Sequence, residues 1–237
     1  MLQLLTPRIV LRFALIAVAV YAPLTWLYPR GQRAYAATFC AVGNAAFAQF
    51  WLWPEASVDF IDLRADDVTE HVNAKLPARL PRGFVLPRAE GVRDTLLVFQ
   101  NRTTPASPGF LRTSSRVVGY VPTAVLVSLV VATPVGWKRR GWLLLWGIAL
   151  VEVFIVLRLT ALMLHTGFAD ADKAYALFRP GPFAADVIAR CHTVLADNPT
   201  FAYVAPVFLW LIVLLGFEIW ASLRHRWRET ATQRHRH

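Results

Sequence analysis

The stretch GWLLLWGIALVEVFIVLRLTALMLH, residues 141–165, decides the fold. Inside it stand one carboxylic acid, Glu152, and one arginine, Arg158, with His165 closing it. A helix of this length rises 1.5 Å per residue to about 37 Å, more than the roughly 30 Å hydrocarbon core of a bilayer. A soluble helix would show a polar stripe at 3.6-residue spacing, and none runs through these residues. Four more apolar blocks lie outward from it: about Ile9 to Leu27, Ala34 to Trp53, Val117 to Val135 and Thr200 to Leu223. The pattern is that of an integral membrane protein with about five transmembrane helices.

The bulk numbers agree. Of 237 residues, 56% are hydrophobic and 17% charged, against nearer a quarter charged in an average soluble domain. The formal charge of +10 would suggest nucleic acid in a soluble chain. Here the bases gather at block ends, at Arg30 and Arg33, at Lys138-Arg139-Arg140 and in the tail after Arg224, with no basic stripe interleaved with aromatics. Nucleic acid is therefore set aside, and the bilayer is the first partner. The first apolar run is interrupted by Arg12 and lacks a small-x-small cleavage pattern, so it reads as a retained helix. Cys40 lies in an apolar block and Cys191 in a polar loop, with neither disulfide nor Cys-x-x-Cys character.

The chain then divides as follows. Residues 1–54 carry transmembrane helices 1 and 2, joined by the basic turn Pro29 to Arg33. Residues 55–116 form a small extracytoplasmic α+β lid, nearly neutral with nine basic and eight acidic residues. In it, Val58 to Leu63 alternates as a half-buried strand does, Thr95 to Phe99 is a second strand, and Gly109 to Thr113 is its partner. Asp66 or Asp67 caps a short helix reaching about Leu76. Residues 117–223 hold helices 3–5 with an outer loop at 166–199, where Phe183 to Leu195 reads as an interfacial helix. Residues 224–237 are a basic tail. Counting bases near the block ends puts that tail and the 138–140 turn in the cytoplasm, which makes the bacterial inner membrane the expected location. The N-terminus then starts outside, against the pull of Arg8 and Arg12, so a re-entrant first segment stays open.

Polar residues at membrane depth are functional candidates, because burying an ionisable group in lipid costs about 2.5–3.5 kcal/mol on insertion scales. Glu152 is either functional or a neutral acid bonded to Asn44 or Gln49. Arg158 either snorkels to outer headgroups or serves a site. Arg158 and His165, seven residues apart, share one stripe. At the outer mouth of block three stand Arg112, Ser114, Ser115, Arg116 and Tyr120, which could contact headgroups, hold a partner or anion, or stabilise an oxyanion. Ser115 with Arg158 and His192 or His165 would make a nucleophilic set if they converge. No metal-ligand spacing is present and no cofactor is implied.

One order of features covers about Ser114 to Trp220: a polar motif at an outward helix mouth, an apolar helix, the turn Trp137 to Arg140, a long helix with Arg158 in Phe154-Ile155-Val156-Leu157-Arg158-Leu159, and an outward segment before the last helix. In that order the chain resembles the exosortase/archaeosortase family of membrane-embedded transpeptidase-like proteins. The resemblance implies an outward-facing Cys, Arg and His set acting on C-terminal sorting signals. Arg158 matches the family arginine. Ser114-Ser115-Arg116 stands where the family has its cysteine, and His192, several residues early, is the nearest match to its histidine. A serine hydroxyl needs far stronger activation than a thiolate. The expectation is an exosortase-like protein serving as a non-catalytic scaffold or accessory subunit for an extracytoplasmic or membrane partner in protein sorting. A membrane-embedded processing enzyme is the alternative, and a transporter or channel component the third.

Overall fold

The computed structural model describes residues 7–47, 56–64, 93–101, 109–168, 180–198 and 200–234. The chain is mostly helical, with one three-stranded sheet. In chain order the elements are α1 (Pro7–Phe47), β1 (Ala56–Asp62), β2 (Thr95–Asn101), β3 (Gly109–Thr113), α2 (Val121–Ala132), α3 (Trp137–Met163), α4 (Pro182–His192) and α5 (Phe201–Arg234). Three π-helical turns punctuate them: Arg116–Tyr120 leads into α2, Leu164–Phe168 closes α3, and Thr193–Asp197 closes α4.

The first two apolar blocks do not form separate helices. They make one 41-residue helix, α1, that runs through Pro23 and Pro29. The expected turn at Pro29 to Arg33 is helical. Side chains on either side of it explain why. Tyr28 and Tyr35 pack on Tyr120 with ring centroids 4.6 and 5.2 Å away, and the Tyr120 hydroxyl donates to the Leu24 carbonyl at 2.7 Å. This packing holds the segment in register against the local preference of Pro and Gly for a turn. Val10–Phe47 and Trp137–Thr166 are each long and apolar enough to cross a membrane. Pro182–Asp197 and Phe201–Phe217 make a third crossing only if that pair, bent by 94°, counts as one. The third block gives a shorter apolar helix, Arg116–Ala132. The structure thus carries two spans by length and composition, up to three, where the sequence suggested five.

α2 packs against α1, α3 and α5 and lies at the centre. Gly147 on α3 allows a close approach, since a Cβ there would stand 2.9 Å from Leu126 of α2. Contacts fix the two ends of the bundle. At one end Phe13 stacks on Trp210 at 5.4 Å, Trp210 donates its indole N–H to Thr133 Oγ1 at 2.9 Å, and Arg140 donates to the Thr133 carbonyl at 3.2 Å. At the other end α1 meets the Arg116–Tyr120 turn and the sheet.

The sheet has the order β1-β2-β3, antiparallel throughout, with Phe60 opposite Leu97 and Leu97 opposite Leu111. All three strands fall where alternation and turn chemistry placed them. β1 is an edge, and α1 covers it. The Asn44 amide donates to the Phe60 carbonyl at 2.9 Å and accepts the Phe60 N–H at 2.7 Å, acting as a surrogate strand neighbour. This corrects the expectation that Asn44 meets Glu152. Gly43, next to it, must lack a side chain, because a Cβ would lie 2.7 Å from the Phe60 ring. Gln49, the end of the second block to Trp53 and the short helix expected from Asp66 or Asp67 to about Leu76 lie outside the described residues. The expected interfacial helix is α4. Cys40 and Cys191 are free thiols.

Candidate functional site

The link between β3 and α2 sets up the site. β3 ends at Thr113, and the chain turns through Ser114 and Ser115 directly into the π-turn Arg116–Tyr120. A π-turn is wider than an α-turn, and such turns recur at functional sites. Here all three gather at one end of the bundle, because residues of two of them, Val117 and Asp197, line one cavity and Leu162 leads into the third.

Ser115, the expected nucleophile, is fully buried. Its hydroxyl donates to Asp94 Oδ2 at 2.8 Å and its backbone N–H donates to Asp94 Oδ1 at 2.9 Å. Thr95 Oγ1 also donates to Asp94 Oδ1, at 3.2 Å, and the Tyr28 hydroxyl lies 3.4 Å from Ser115 Oγ. Asp94 is itself fully buried, at the entrance to β2, and its backbone carbonyl accepts the Leu63 N–H at 2.8 Å. One carboxylate thus ties the sheet to the first turn under α2. A buried acid is tolerated only when its oxygens are met by donors, and three meet this one. The serine is a fastener, shut off from any substrate. Sequence reading missed Asp94, since an acid just before a strand looks like an ordinary solvated loop residue.

Beside this pin opens a cavity of about 310 Å³. It is lined by Arg93, Arg112 and Arg158, by Ser114, and by Asp197 among the described residues. Arg158 is 4% exposed. Its guanidinium donates once, from Nη1 to the Val117 carbonyl at 3.1 Å, and forms no ion pair with a described residue. A guanidinium has five N–H donors in a fixed fork. Arg158 is therefore a buried cation with most of its hydrogen-bonding capacity unused at the cavity wall. Its backbone position explains this: near the sheet end of α3 it faces the π-turn, where the Val121 N–H is taken by the Arg116 carbonyl and the Val117 carbonyl is left to be bonded from outside. Ser114 also reaches the cavity, but its Oγ accepts the Val117 N–H at 3.3 Å.

The other expected residues are distributed differently. Arg116 lies over the Tyr28 ring at 5.2 Å, and Tyr120 is bonded to Leu24, so both serve the contact with α1 and neither lines the cavity. Arg112 does line it. His165 and His192 are brought together: their rings stack with centroids 4.0 Å apart and 11° between planes. His192 is buried, and its Nδ1 lies 3.2 Å from Asp197 Oδ2. Burial first, then the neighbouring His165, lowers the His192 pKa from its ordinary value, while Asp197 pulls the other way. Asp197 joins the histidine pair to the cavity, but neither imidazole lines it. Ser115, Arg158 and the histidines therefore do not form one hydrogen-bonded set. Glu152 is on the exposed side of α3, away from the cavity. Among the described residues, no group of three or more His, Cys, Asp or Glu could hold a metal ion.

What the arrangement can do chemically is hold an anion. Among the described residues it has an exposed arginine, Arg93, a half-buried one, Arg112, a buried one, Arg158, and one carboxylate, Asp197. Comparison with protein-family models, curated proteins and solved structures found no match.

Proposed function

We propose that this is a membrane-anchored docking protein without peptidase activity, whose cavity beneath the sheet receives an acidic group of a partner polypeptide, such as a free C-terminal carboxylate. One observation carries the reading: Arg158 is buried at the wall of a cavity with two further arginines and makes one hydrogen bond to a described residue, while the expected nucleophile Ser115 is sealed behind Asp94. An unpaired buried cation is costly, and binding an anion recovers that cost. A guanidinium meets a carboxylate in a two-pronged pair that a lysine cannot reproduce.

The topology that fits this reading has four crossings, α1, α2, α3 and α5. Supporting it, Phe13, Thr133, Arg140 and Trp210 share one end of the bundle. That end would carry Arg8, Arg12, the 138–140 turn and the basic tail together, which is the cytoplasmic side by the positive-inside rule. Continuity of α1 thus removes the tension that Arg8 and Arg12 create when five helices are threaded. The sheet and α4 then lie on the extracytoplasmic face of an inner membrane. The exosortase-like order of features is compatible with this proposal as ancestry. Docking of sorted proteins, without cleavage, is the role it would leave.

The test uses the full chain in nanodiscs of zwitterionic lipid, titrated with a short acetylated peptide bearing a free C-terminal carboxylate and with the same peptide amidated. The carboxylate form is expected to bind and the amide to bind at least about tenfold more weakly, the range of a lost charge-assisted bond. Replacing Arg158 by Met should erase the difference. Equal binding of the two peptides, or an R158M protein that still discriminates, would overturn the proposal.

A further inference from the structure

α3 has a second polar residue that the cavity does not use. Glu152 is on the exposed side of the helix, within the apolar stretch Trp137–Thr166. Arg140, at the α2–α3 turn, and Arg158, at the cavity, bracket it, so it lies 12 residues, or about 18 Å, from one and 6 residues, or about 9 Å, from the other. Its carboxyl group makes no hydrogen bond or ion pair with a described residue. Tyr35 on α1 lies within its electrostatic reach without bonding it.

The residues around it form a regular pattern. Trp142, Leu145, Ala149 and Glu152 follow at intervals of three, four and three, all exposed, with Trp146 and Val153 flanking them. This is the seam spacing by which one helix receives another at a shallow crossing angle. Ala149, one turn below the carboxyl, gives room for a close backbone approach. The face is otherwise wholly apolar, and lipid alone would satisfy every residue on it except Glu152. An acid facing hydrocarbon needs a hydrogen-bond donor or a cation at the same depth. Among the residues of α5 whose side chains are described, the exposed face carries apolar groups such as Val207, Phe208, Leu211 and Ile212 and the phenol of Tyr203 but no charge, so a second copy brings no complementary charge on that surface.

We infer that the Trp142–Glu152 seam of α3 docks a transmembrane helix of another protein that carries a basic side chain opposite Glu152. The partner's cation and the Glu152 carboxyl neutralise one another in the membrane, and the aromatic and small residues of the seam supply shape. The surface is separate from the cavity under the sheet, so the two inferences stand or fall independently.

The full chain, donor-labelled in zwitterionic vesicles, is mixed with an acceptor-labelled leucine-rich transmembrane peptide bearing one lysine at the depth of Glu152, or with its all-leucine counterpart. Energy transfer is expected to report association of the lysine peptide about three- to twentyfold tighter than the leucine peptide, the span that polar pairs between membrane helices reach. The E152L protein, whose lipid-facing leucine does not disturb the fold, should lose that preference, and E152Q should keep part of it. Equal association of both peptides overturns the inference. So does a lysine preference that survives in E152L. Transfer between labelled copies of the protein that E152L abolishes, with no lysine preference, assigns the seam to a second copy instead and also overturns it.

Discussion

Two polar regions lie side by side at the sheet end of the bundle, and they are built in opposite ways. Around Asp94 every hydrogen-bonding group has found its counterpart: two donors from Ser115, one from Thr95, and the Asn44 clip on the Phe60 edge nearby. Around Arg158 one donor is used and the rest open on a cavity shared with two more arginines. Both regions hold buried charge of the kind that is costly unless paired. The first is complete within the chain and therefore structural. The second makes one bond to a described residue, and the proposed anion site rests on that difference. Satisfaction of polar groups separates the two, whereas residue type alone had pointed to Ser115.

The largest effect should come from removing the carboxylate that closes the first region. Asp94→Ala leaves the Ser115 hydroxyl and N–H and the Thr95 hydroxyl buried without that acceptor, at about 1–3 kcal/mol for each donor left unsatisfied. The sheet should then come away from α2. Limited proteolysis of the protein in detergent checks this: cleavage within 95–101 and 109–115 is expected to be faster in the variant than in the parent. A variant as resistant as the parent would mean that the pin is dispensable and the contrast mistaken.

Gly43→Val tests the same region through shape. The nearest atoms to an added Cβ belong to the Phe60 ring, at 2.7 to 2.9 Å, and that ring is itself packed between Phe39 and Phe47. It has nowhere to move, so overpacking should cost about 1–3 kcal/mol. A lowered midpoint of thermal unfolding of the purified protein is the measurement, with Gly31→Val as the control, since nothing lies within 4 Å of a Cβ there.

Ser115→Ala sharpens the comparison further. It removes one bond to a carboxylate while the backbone N–H remains, so a loss of about 1.5–3 kcal/mol in stability is expected. Peptide binding at the cavity should be unchanged. Arg158→Met should behave the other way round, because replacing an unpaired buried cation by an apolar side chain of similar length is neutral or stabilising. If S115A abolished binding while R158M did not, the assignment of the two regions would be reversed.

How much of this could be read from residues alone follows from the range of each signal. The three strands were legible because the alternation and β-forming residues that mark them are local signals. Arg158 was legible because an arginine within an apolar helix is conspicuous. α1 was not, because Pro29-Arg30-Gly31 is a turn signal locally and only the packing of Tyr28 and Tyr35 on Tyr120, more than 80 residues on, overrides it. The cavity was not, because three widened helical turns leave no mark in composition. Asp94 acquires its role only from residues 21 positions away. The same distance between local signal and tertiary partner sent Asn44 to the wrong neighbour: its depth suggested Glu152, whereas its side chain completes a strand edge.

The smallest predicted effect concerns the joint that flanks the cavity. His192 is buried and stacked on His165, and its pKa is lowered by burial first and by His165 second. A histidine whose folded pKa lies below its unfolded value of about 6.5 binds protons more readily when unfolded. Stability then rises with pH in that range, so the contribution is full above about pH 6.5 and is lost as pH falls through the folded value. Asp197, 3.2 Å from His192 Nδ1, opposes the loss by favouring the cation. Amide hydrogen exchange across α4 should therefore change little between pH 8 and 7, after correction for intrinsic rates, and quicken modestly below pH 6.5. Asp197→Asn removes the opposing carboxylate and should steepen that response, whereas His165→Gln should flatten it by removing a neighbour that lowers the His192 pKa. Because Asp197 also lines the cavity, loosening the joint would be felt there as weaker peptide binding at acid pH. An α4 whose exchange is indifferent to pH in all three proteins would show that the stacked pair bears no load, and that the cavity is held by the sheet and α3 alone.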